Sequence, residues 1–477
     1  MKPTMITLLL AILPLTLLAQ DDQKNYSEAF TIIEVWLDAQ RDFDMLPGIS
    51  ASVTEGQELI WSGAFGYADV ENEIETTPAT LGSVCSISKL FTSVAVMKLY
   101  DEGKLRLDDR IEDLLPWYNL EQRYNGSRPI TVRTLLTHSA GLPREADFPY
   151  WTGPDYPFPS IEMIIEKLDN QQTLYPASTN FQYSNLGMTL LGEIVAEVSG
   201  VAYDEYVQKN ILDVLELNDT RTLLPEALYG NELATGYGVL LRDGTRNKVN
   251  FFQAEGVMAA AGFSSNVIDL GAFASWQLRL LDSDTTEILK PSTLRYMQNV
   301  HFTDPDWETT WGLGFVVSKG PDGSKWVSHG GYCPGYQSLW TLNPKSERAY
   351  SVIINSNGVN PGKYSTGIHE ILAKVTPKSA TSEAVRDSLN LSDYTGYYQM
   401  NDGESYISSW EGKLVSIGLP NQSPADNMTM FRHLDGDTFV RIRKDDADGE
   451  TIEFERNENG DVIRYKRHQI YTTKTIK

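Results

Sequence analysis

The stretch SISKLFTSVAVMKLYDEG, residues Ser86 to Gly103, opens on a polar tetrad. It continues with Leu90, Phe91, Val94, Ala95, Met97 and Leu99 at helical spacing until Asp101, Glu102 and Gly103 end the run. Ser86 therefore stands at a helix start, and three residues of helix carry Lys89 back over it by about one turn. A serine hydroxyl is too weakly acidic to attack a carbonyl alone. A lysine stripped of solvent, or pressed by a second cation, can lose its proton and serve as the base. Ser86, Ile87, Ser88 and Lys89 thus form an S-x-x-K tetrad that reads as nucleophile and base. Taken alone, the same tetrad is also the polar start of an ordinary helix.

Working outward, Gly48 to Tyr67 alternates apolar and polar residues around a Glu55-Gly56 turn signal and predicts a β-hairpin. A second helix is expected from Asn185 to Val198, closed by Gly200. Late strands are expected at Trp311 to Val317 and Trp326 to Trp340. Strands at both ends with helices between them predict an α+β domain whose terminal segments share one antiparallel sheet. After Ala373 a polar run rich in Lys, Ser and Thr reads as a linker. From Ser392 onward short alternating runs are punctuated by Asp402-Gly403, Glu411-Gly412, Asp435-Gly436, Asp448-Gly449 and Asn459-Gly460, the signature of an all-β, barrel-like or sandwich domain. The expected units are a leader at 1–19, a main domain at 20–375, a linker at 376–391 and a separable β domain at 392–477.

Two further groups carry chemistry. Tyr183, Ser184 and Asn185 precede the second helix: a tyrosine whose pKa is lowered by cations can shuttle a proton, and an amide such as Asn185 can hold both the lysine and a substrate. His329, Gly330 and Gly331 lie on a late strand, where paired glycines admit a substrate backbone to the strand edge. The N–H groups of Ser86 and Tyr332 would then bind an oxyanion.

In this order and separation the three groups, with Gly63 to Ile74, LLTHSAGLP at Leu135 to Pro143 and YSNLGMTLLGEIVAEVSG at Tyr183 to Gly200, resemble the serine β-lactamase and penicillin-binding-protein superfamily over about Pro47 to Val375. The branch is that of class C β-lactamases, DD-peptidases, D-aminopeptidases and esterases. The resemblance implies a β-lactamase-like fold, an antiparallel sheet flanked by helices with a helical region. It also implies a nucleophile at Ser86, a base at Lys89, a proton shuttle at Tyr183 and substrate contacts at Asn185, His329, Gly330, Gly331 and Tyr332. Many β-lactamases place Lys-Thr-Gly where this chain has His329-Gly330-Gly331. A histidine is largely neutral at pH 7, which weakens the hold on a β-lactam carboxylate. The expectation is an exported serine hydrolase that cleaves an amide or ester through an acyl-enzyme: a β-lactamase-related esterase or a D-amino-acid-specific peptidase or amidase. A true class C-like β-lactamase or DD-carboxypeptidase is the alternative on the same machinery. A non-catalytic binding or sensor homologue is disfavoured because Ser86, Lys89 and Tyr183 are all retained.

The bulk numbers agree. With 40 Lys and Arg against 64 Asp and Glu, a net charge of −24 repels nucleic acid. Met1, Lys2 and the apolar run from Met5 to Ala19 read as a secretory signal, shorter than the ~20 residues a spanning helix needs. The mature chain is expected to be periplasmic or extracellular, without a membrane span, and to act on a small-molecule or peptide substrate, cell-wall-derived material included. No cofactor is implied. No G-x-S-x-G elbow is present, and His369-Glu370 lacks a second histidine because Ala373 stands in its place, so no zinc site is expected. His138 reads as structural. The aromatic loop Phe148, Tyr150, Trp151, Tyr156 and Phe158 reads equally as a pocket rim or as packing. Cys85 and Cys333 are expected as two small buried packing residues, a bridge being the other reading.

Overall fold

The computed structural model describes residues 25–320, 323–375, 389–400 and 403–475; the expected leader and most of the expected linker lie outside them. The first element is a helix the sequence reading passed over, α1 (Ser27–Phe43). Its buried residues Ala29, Ile32, Ile33, Trp36, Leu37 and Gln40 form one stripe at three- and four-residue spacing. The expected hairpin follows as β1 (Gly48–Glu55) and β2 (Glu58–Asp69). Helix α2 (Ser88–Asp101) is buried nearly all round, so its polar Ser88 and Thr92 find internal partners: Thr92 Oγ1 donates to Ala259 O at 2.6 Å, and Ser88 Oγ accepts from the Phe263 N–H at 3.0 Å. Helix α3 (Asn185–Ser199) is capped by Ser184, whose Oγ accepts from the Gly187 N–H at 2.8 Å. It ends at Gly200 with φ 73°, the left-handed turn that only a residue without Cβ adopts cheaply. Helix α4 (Val267–Leu281) starts at Asn266, whose side chain accepts from the N–H groups of Ile268 and Asp269.

The late strands are β3 (Val316–Lys319), β4 (Lys325–Cys333), β5 (Tyr336–Asn343) and β6 (Arg348–Ile354), followed by α5 (Gly362–Ala373). The expected strand at Trp311 to Val317 is broken at Gly312 to Phe315, where Gly314 has φ 86° and leaves no room for a Cβ against Ser93. The expected run Trp326 to Trp340 is two strands folded at Pro334-Gly335. All belong to one nine-stranded sheet in the order Ile74–Glu75, β2, β1, β6, β5, β4, β3, Thr310–Trp311, Phe302–Thr303. β1 pairs antiparallel with β6, so the two ends of the domain share the sheet as the sequence predicts. One face carries α2, α3 and α4 with the larger core; the other carries α1 and α5.

The C-terminal region is a closed antiparallel barrel of eight strands, β7 (Gly396–Met400) through β14 (Ile470–Thr475), with Tyr397 paired to Thr475 where it closes. Gly412, Gly436 and Gly460 take the positive φ their turns require, but Asp448-Gly449 lies inside the strand Asp448–Arg456. That turn is made earlier, with Asp446 at φ 59° and the Arg443 N–H bonded to Ala447 O, because Asp448 already pairs with Ile442 as the first residue of its strand. The barrel has an inner core of Tyr394, Tyr398, Phe431, Phe439 and Phe454. Its outer Trp410, Val415, Ile417 and Leu419 join Trp36, Tyr350 and Tyr364 in a second core, and the Trp36 indole N–H donates to Asn421 O at 3.0 Å.

Candidate active site

Ser86 occupies a single 3-10 turn, Cys85–Ile87, that runs into α2, and Lys89 is fully buried in the first turn of that helix. Lys89 Nζ lies 3.0 Å from Ser86 Oγ and 2.7 Å from Ala260 O. Burial drives the Lys89 ammonium well below the usual lysine range; the Glu145 carboxylate opposes the shift and the Arg144 guanidinium adds to it. A neutral amine at this distance can accept the Ser86 proton.

Tyr183 packs between charges and rings. Arg144 lies over its ring at 4.9 Å, Lys89 Nζ is 5.0 Å from its centroid, and the His138 ring is 4.3 Å away. Cations were expected to lower its pKa. Burial instead raises it above the usual phenol, and the Ser86 hydroxyl and Arg144 only partly offset that. Tyr183 therefore keeps its proton at neutral pH. His138, fully buried, accepts the Ser184 N–H on Nδ1 at 3.1 Å and so fixes the backbone between Tyr183 and the start of α3. Its role is positional, as the sequence suggests.

Asn185 was expected to hold the lysine. Its Nδ2 donates to both oxygens of Glu145, at 2.8 and 3.0 Å, and its buried Oδ1 has no partner among the described residues. Glu145 also takes the Tyr150 hydroxyl and pairs with Arg144 at 3.1 Å. Arg144 and Glu145 follow directly on LLTHSAGLP; the signal the sequence reading passed over is an adjacent cation and anion leaving a loop that already carries the resemblance.

β4 supplies the opposite wall. Val327, His329, Gly331 and Cys333 face the helices, while Gly330 and Tyr332 face outward. β3 pairs only with Lys325 to Ser328, which leaves the β4 edge open from His329 onward. The Cys333–Tyr336 pair closes the Pro334-Gly335 hairpin, and alternation along an antiparallel ladder turns the Tyr332 N–H to that open edge. Gly331 is obligatory: a Cβ there would run into Val84 O and Ser338 Oγ. His329 is fully buried and its pKa is pushed down to about 3, by burial first and by Lys89 second. It was expected to carry a fraction of a charge, but it carries none at neutral pH. Its Nδ1 meets Gly330 O at 2.7 Å, so Nδ1 holds the proton and Nε2 is a buried acceptor without a partner among the described residues.

Ser86, Arg144, Tyr183, Trp311, His329 and Tyr332 line one hollow of about 490 Å³. Of the expected residues, Ser86, Tyr183, His329, Gly330, Gly331 and Tyr332 line this hollow, Lys89 meets it through Ser86, and Asn185 is linked to it only through Glu145 and Arg144. The aromatic loop does not join them. Tyr150 and Trp151 pack against Phe158, tilted and edge-on, and Phe158 stacks on Phe252. Cys85 and Cys333 are corrected from free packing residues to a disulfide, because the turn before Ser86 and the end of β4 bring their Cα atoms to 5.7 Å. Among the described residues no group of His, Cys, Asp and Glu is placed to hold a metal ion, and no single helix is long and apolar enough to cross a membrane.

Residues 37–373 match the family described as Beta-lactamase. Among curated proteins, the chain is 27% identical to Beta-lactamase-like protein 2 of Dictyostelium discoideum over 325 residues, which are 67% of this chain and 57% of that protein. It is 23% identical to a penicillin-binding protein of Bacillus subtilis (strain 168) over 397 residues, 77% of this chain and 83% of that one. Among solved structures, the octameric penicillin-binding protein homologue from Pyrococcus abyssi superposes with a TM-score of 0.64 at 26% identity, covering 93% of this chain and 100% of that one. A D-stereospecific amidohydrolase from Streptomyces sp. shares the fold, with a TM-score of 0.58 at 22% identity over 72% of this chain and 98% of that one.

Proposed function

The chain belongs to the β-lactamase family, and on that premise we propose that it is an exported serine hydrolase that cleaves an ester or amide bond through an acyl-enzyme on Ser86. The observation that carries the reading is the buried Lys89 amine 3.0 Å from the Ser86 hydroxyl. Lys89, held neutral by burial, takes the Ser86 proton as Oγ attacks the carbonyl. The N–H groups of Ser86 and Tyr332 receive the oxyanion, and the Tyr183 phenol, which keeps its proton, donates it to the leaving group and is re-protonated by Lys89. Water then attacks the acyl-enzyme with the same groups in reverse. Periplasmic or extracellular location is part of the proposal; a buried disulfide suits an oxidising compartment.

Substrate choice follows from what faces the hollow. His329 lines it, and its Nε2 is a buried acceptor without a protein partner among the described residues, so a substrate N–H or O–H satisfies it where a carboxylate would be repelled. This favours D-amino-acid amides and esters bearing donors over penicillins. Arg144, with its side chain 59% exposed at the mouth, is the specific reason to keep the alternative of an acidic peptide or β-lactam in the test. One purified sample is assayed against chromogenic esters, D-amino-acid amides, D-Ala-D-Ala peptides and nitrocefin, and the Ser86 peptide is examined by mass spectrometry after fluorophosphonate treatment. The expected result is an adduct on Ser86 and kcat/KM highest for an ester or amide, with His329→Lys shifting the ratio toward carboxylate-bearing substrates. A nitrocefin kcat/KM above every other substrate overturns the substrate reading, and labelling that persists in Ser86→Ala overturns the mechanism.

A further inference from the structure

The Cys85–Cys333 bridge joins two points that the proposed chemistry needs held apart by a set distance. Cys85 immediately precedes Ser86, and Cys333 immediately follows Tyr332, with 248 residues of chain between them. Each half-cystine is thus one residue from an N–H that would receive the oxyanion. Both are buried, at 0% and 1% exposure.

The two arms also meet in a direct packing contact, where Gly331 of β4 lies against Val84 O, but their hydrogen bonds run to separate surroundings. On the nucleophile side, Cys85 sits at φ 54°, a left-handed conformation that a residue with a Cβ adopts at a cost. The adjoining chain is pinned by the Val84 N–H on Phe263 O at 3.0 Å and by the contact of Ser88 Oγ with Cys85 O. On the strand side, Cys333 O accepts from Asn357 Nδ2 at 2.8 Å, and the Gly335 N–H donates to Asn357 Oδ1 at 2.7 Å. Each arm is therefore fixed to its own surroundings. Between them the hydrogen bond from Ser338 Oγ to Val84 O, 3.0 Å, reaches the turn from β5 rather than from β4. Among the described residues β4 has no strand neighbour on its open edge at this point.

We propose that the Cys85–Cys333 disulfide is a positioning device for acyl transfer, setting the spacing of the Ser86 and Tyr332 N–H groups so that both reach the same oxyanion. The inference rests on Ser86 being the nucleophile. An N–H displaced by a fraction of an ångström still lets substrate bind but no longer meets the charge that develops in the transition state. Loss of the bridge therefore lowers kcat and leaves KM nearly unchanged. The expected size is about 10- to 100-fold, below the loss of a whole oxyanion donor, because both donors remain nearby.

The test uses the full-length oxidised protein, Cys85→Ser, Cys333→Ser and the double variant. Measured are kcat and KM on the best substrate of the panel, Tm, and the rate at which a fluorophosphonate modifies Ser86. The phosphonyl oxygen occupies the oxyanion position, so that rate reads the hole directly. A bridge acting as one unit makes each single variant lose as much kcat as the double, with KM within about 2-fold and phosphonylation slowed in parallel. Losses that multiply in the double variant show two independent packing residues and overturn the proposal. Unchanged kcat and phosphonylation at a lowered Tm overturn it too, leaving a purely structural staple. If a variant fails to fold, the other single variant and wild type reduced with dithiothreitol, which returns two thiols and the cyclic oxidised reagent, give the same comparison. Absence of a Ser86 adduct even in the oxidised wild type is a different outcome, and it overturns the nucleophile assignment rather than the bridge alone.

Discussion

At Lys89 stability and chemistry pull in opposite directions. The amine is buried and its folded pKa lies below the ordinary lysine value, so over the window between the two the unfolded chain binds a proton that the folded chain does not. Stability from this group is therefore complete above the unfolded pKa and is lost as pH falls through the folded one. Lys89→Met should remove that pH slope, measured as Tm against pH beside wild type, and should abolish turnover; a slope equal to that of wild type would show that Lys89 stays charged in the fold. The same shift places the acid limb of kcat/KM on Lys89, since activity needs the free amine. His329, pushed down to about 3, contributes no charge change above about pH 4. The limb should persist in His329→Asn, and its disappearance there would return the titration to the histidine. The placement of the Lys89 amine beside the Ser86 hydroxyl was legible from spacing, because helix periodicity alone brings position i+3 over position i. The charge states of Tyr183 and His329 were not, since burial decides them and local sequence does not encode it.

Strand β4 shows at the level of one element how a glycine pair divides its labour. Gly331 faces the turn before Ser86 with no space for a Cβ, whereas a Cβ at Gly330 would meet only Ser338 O, at 3.7 Å. Gly331→Ala should push β4 from the nucleophile turn and cut kcat at least 10-fold with a fall in Tm of several degrees. Gly330→Ala should leave Tm within about 1 °C and act through KM, because its outward methyl narrows the approach along the open edge. Steady-state kinetics and thermal melts on both variants check this, and equal Tm values would show that Gly331 is not the tight position. The hairpin of β1 and β2 and the stop at Gly200 were readable from local pattern. The break of the Trp311 to Val317 run was not, because Gly314 is forced by Ser93 of α2, far away in the chain.

Across the whole molecule the barrel is less separable than its polar linker suggests. Trp410, Val415, Ile417 and Leu419 are buried against Trp36 of α1, and Glu28 accepts the Glu411 N–H at 2.7 Å. A chain ending at Val375 would expose that stripe beneath the sheet. It should aggregate or melt well below the full-length protein, and a soluble truncation with unchanged Tm would show the contact to be dispensable. Trp410→Ala in the intact chain should cost about 3–5 kcal/mol, read by chemical denaturation, with kcat nearly unaffected because the cluster lies on the sheet face away from Ser86.

The amino-acid sequence by itself determined the fold class, the order of the three motifs and the change to short strands after residue 391. These rest on periodicity and turn chemistry, which act over a few neighbours. Only the tertiary structure decided which edge of β4 is open, that Glu145 rather than Lys89 holds Asn185, and that Cys85 is bridged to Cys333. It also decided that α1 welds the barrel to the sheet. Each of these depends on which distant segments exclude water from one another, and that is a property of the packed chain.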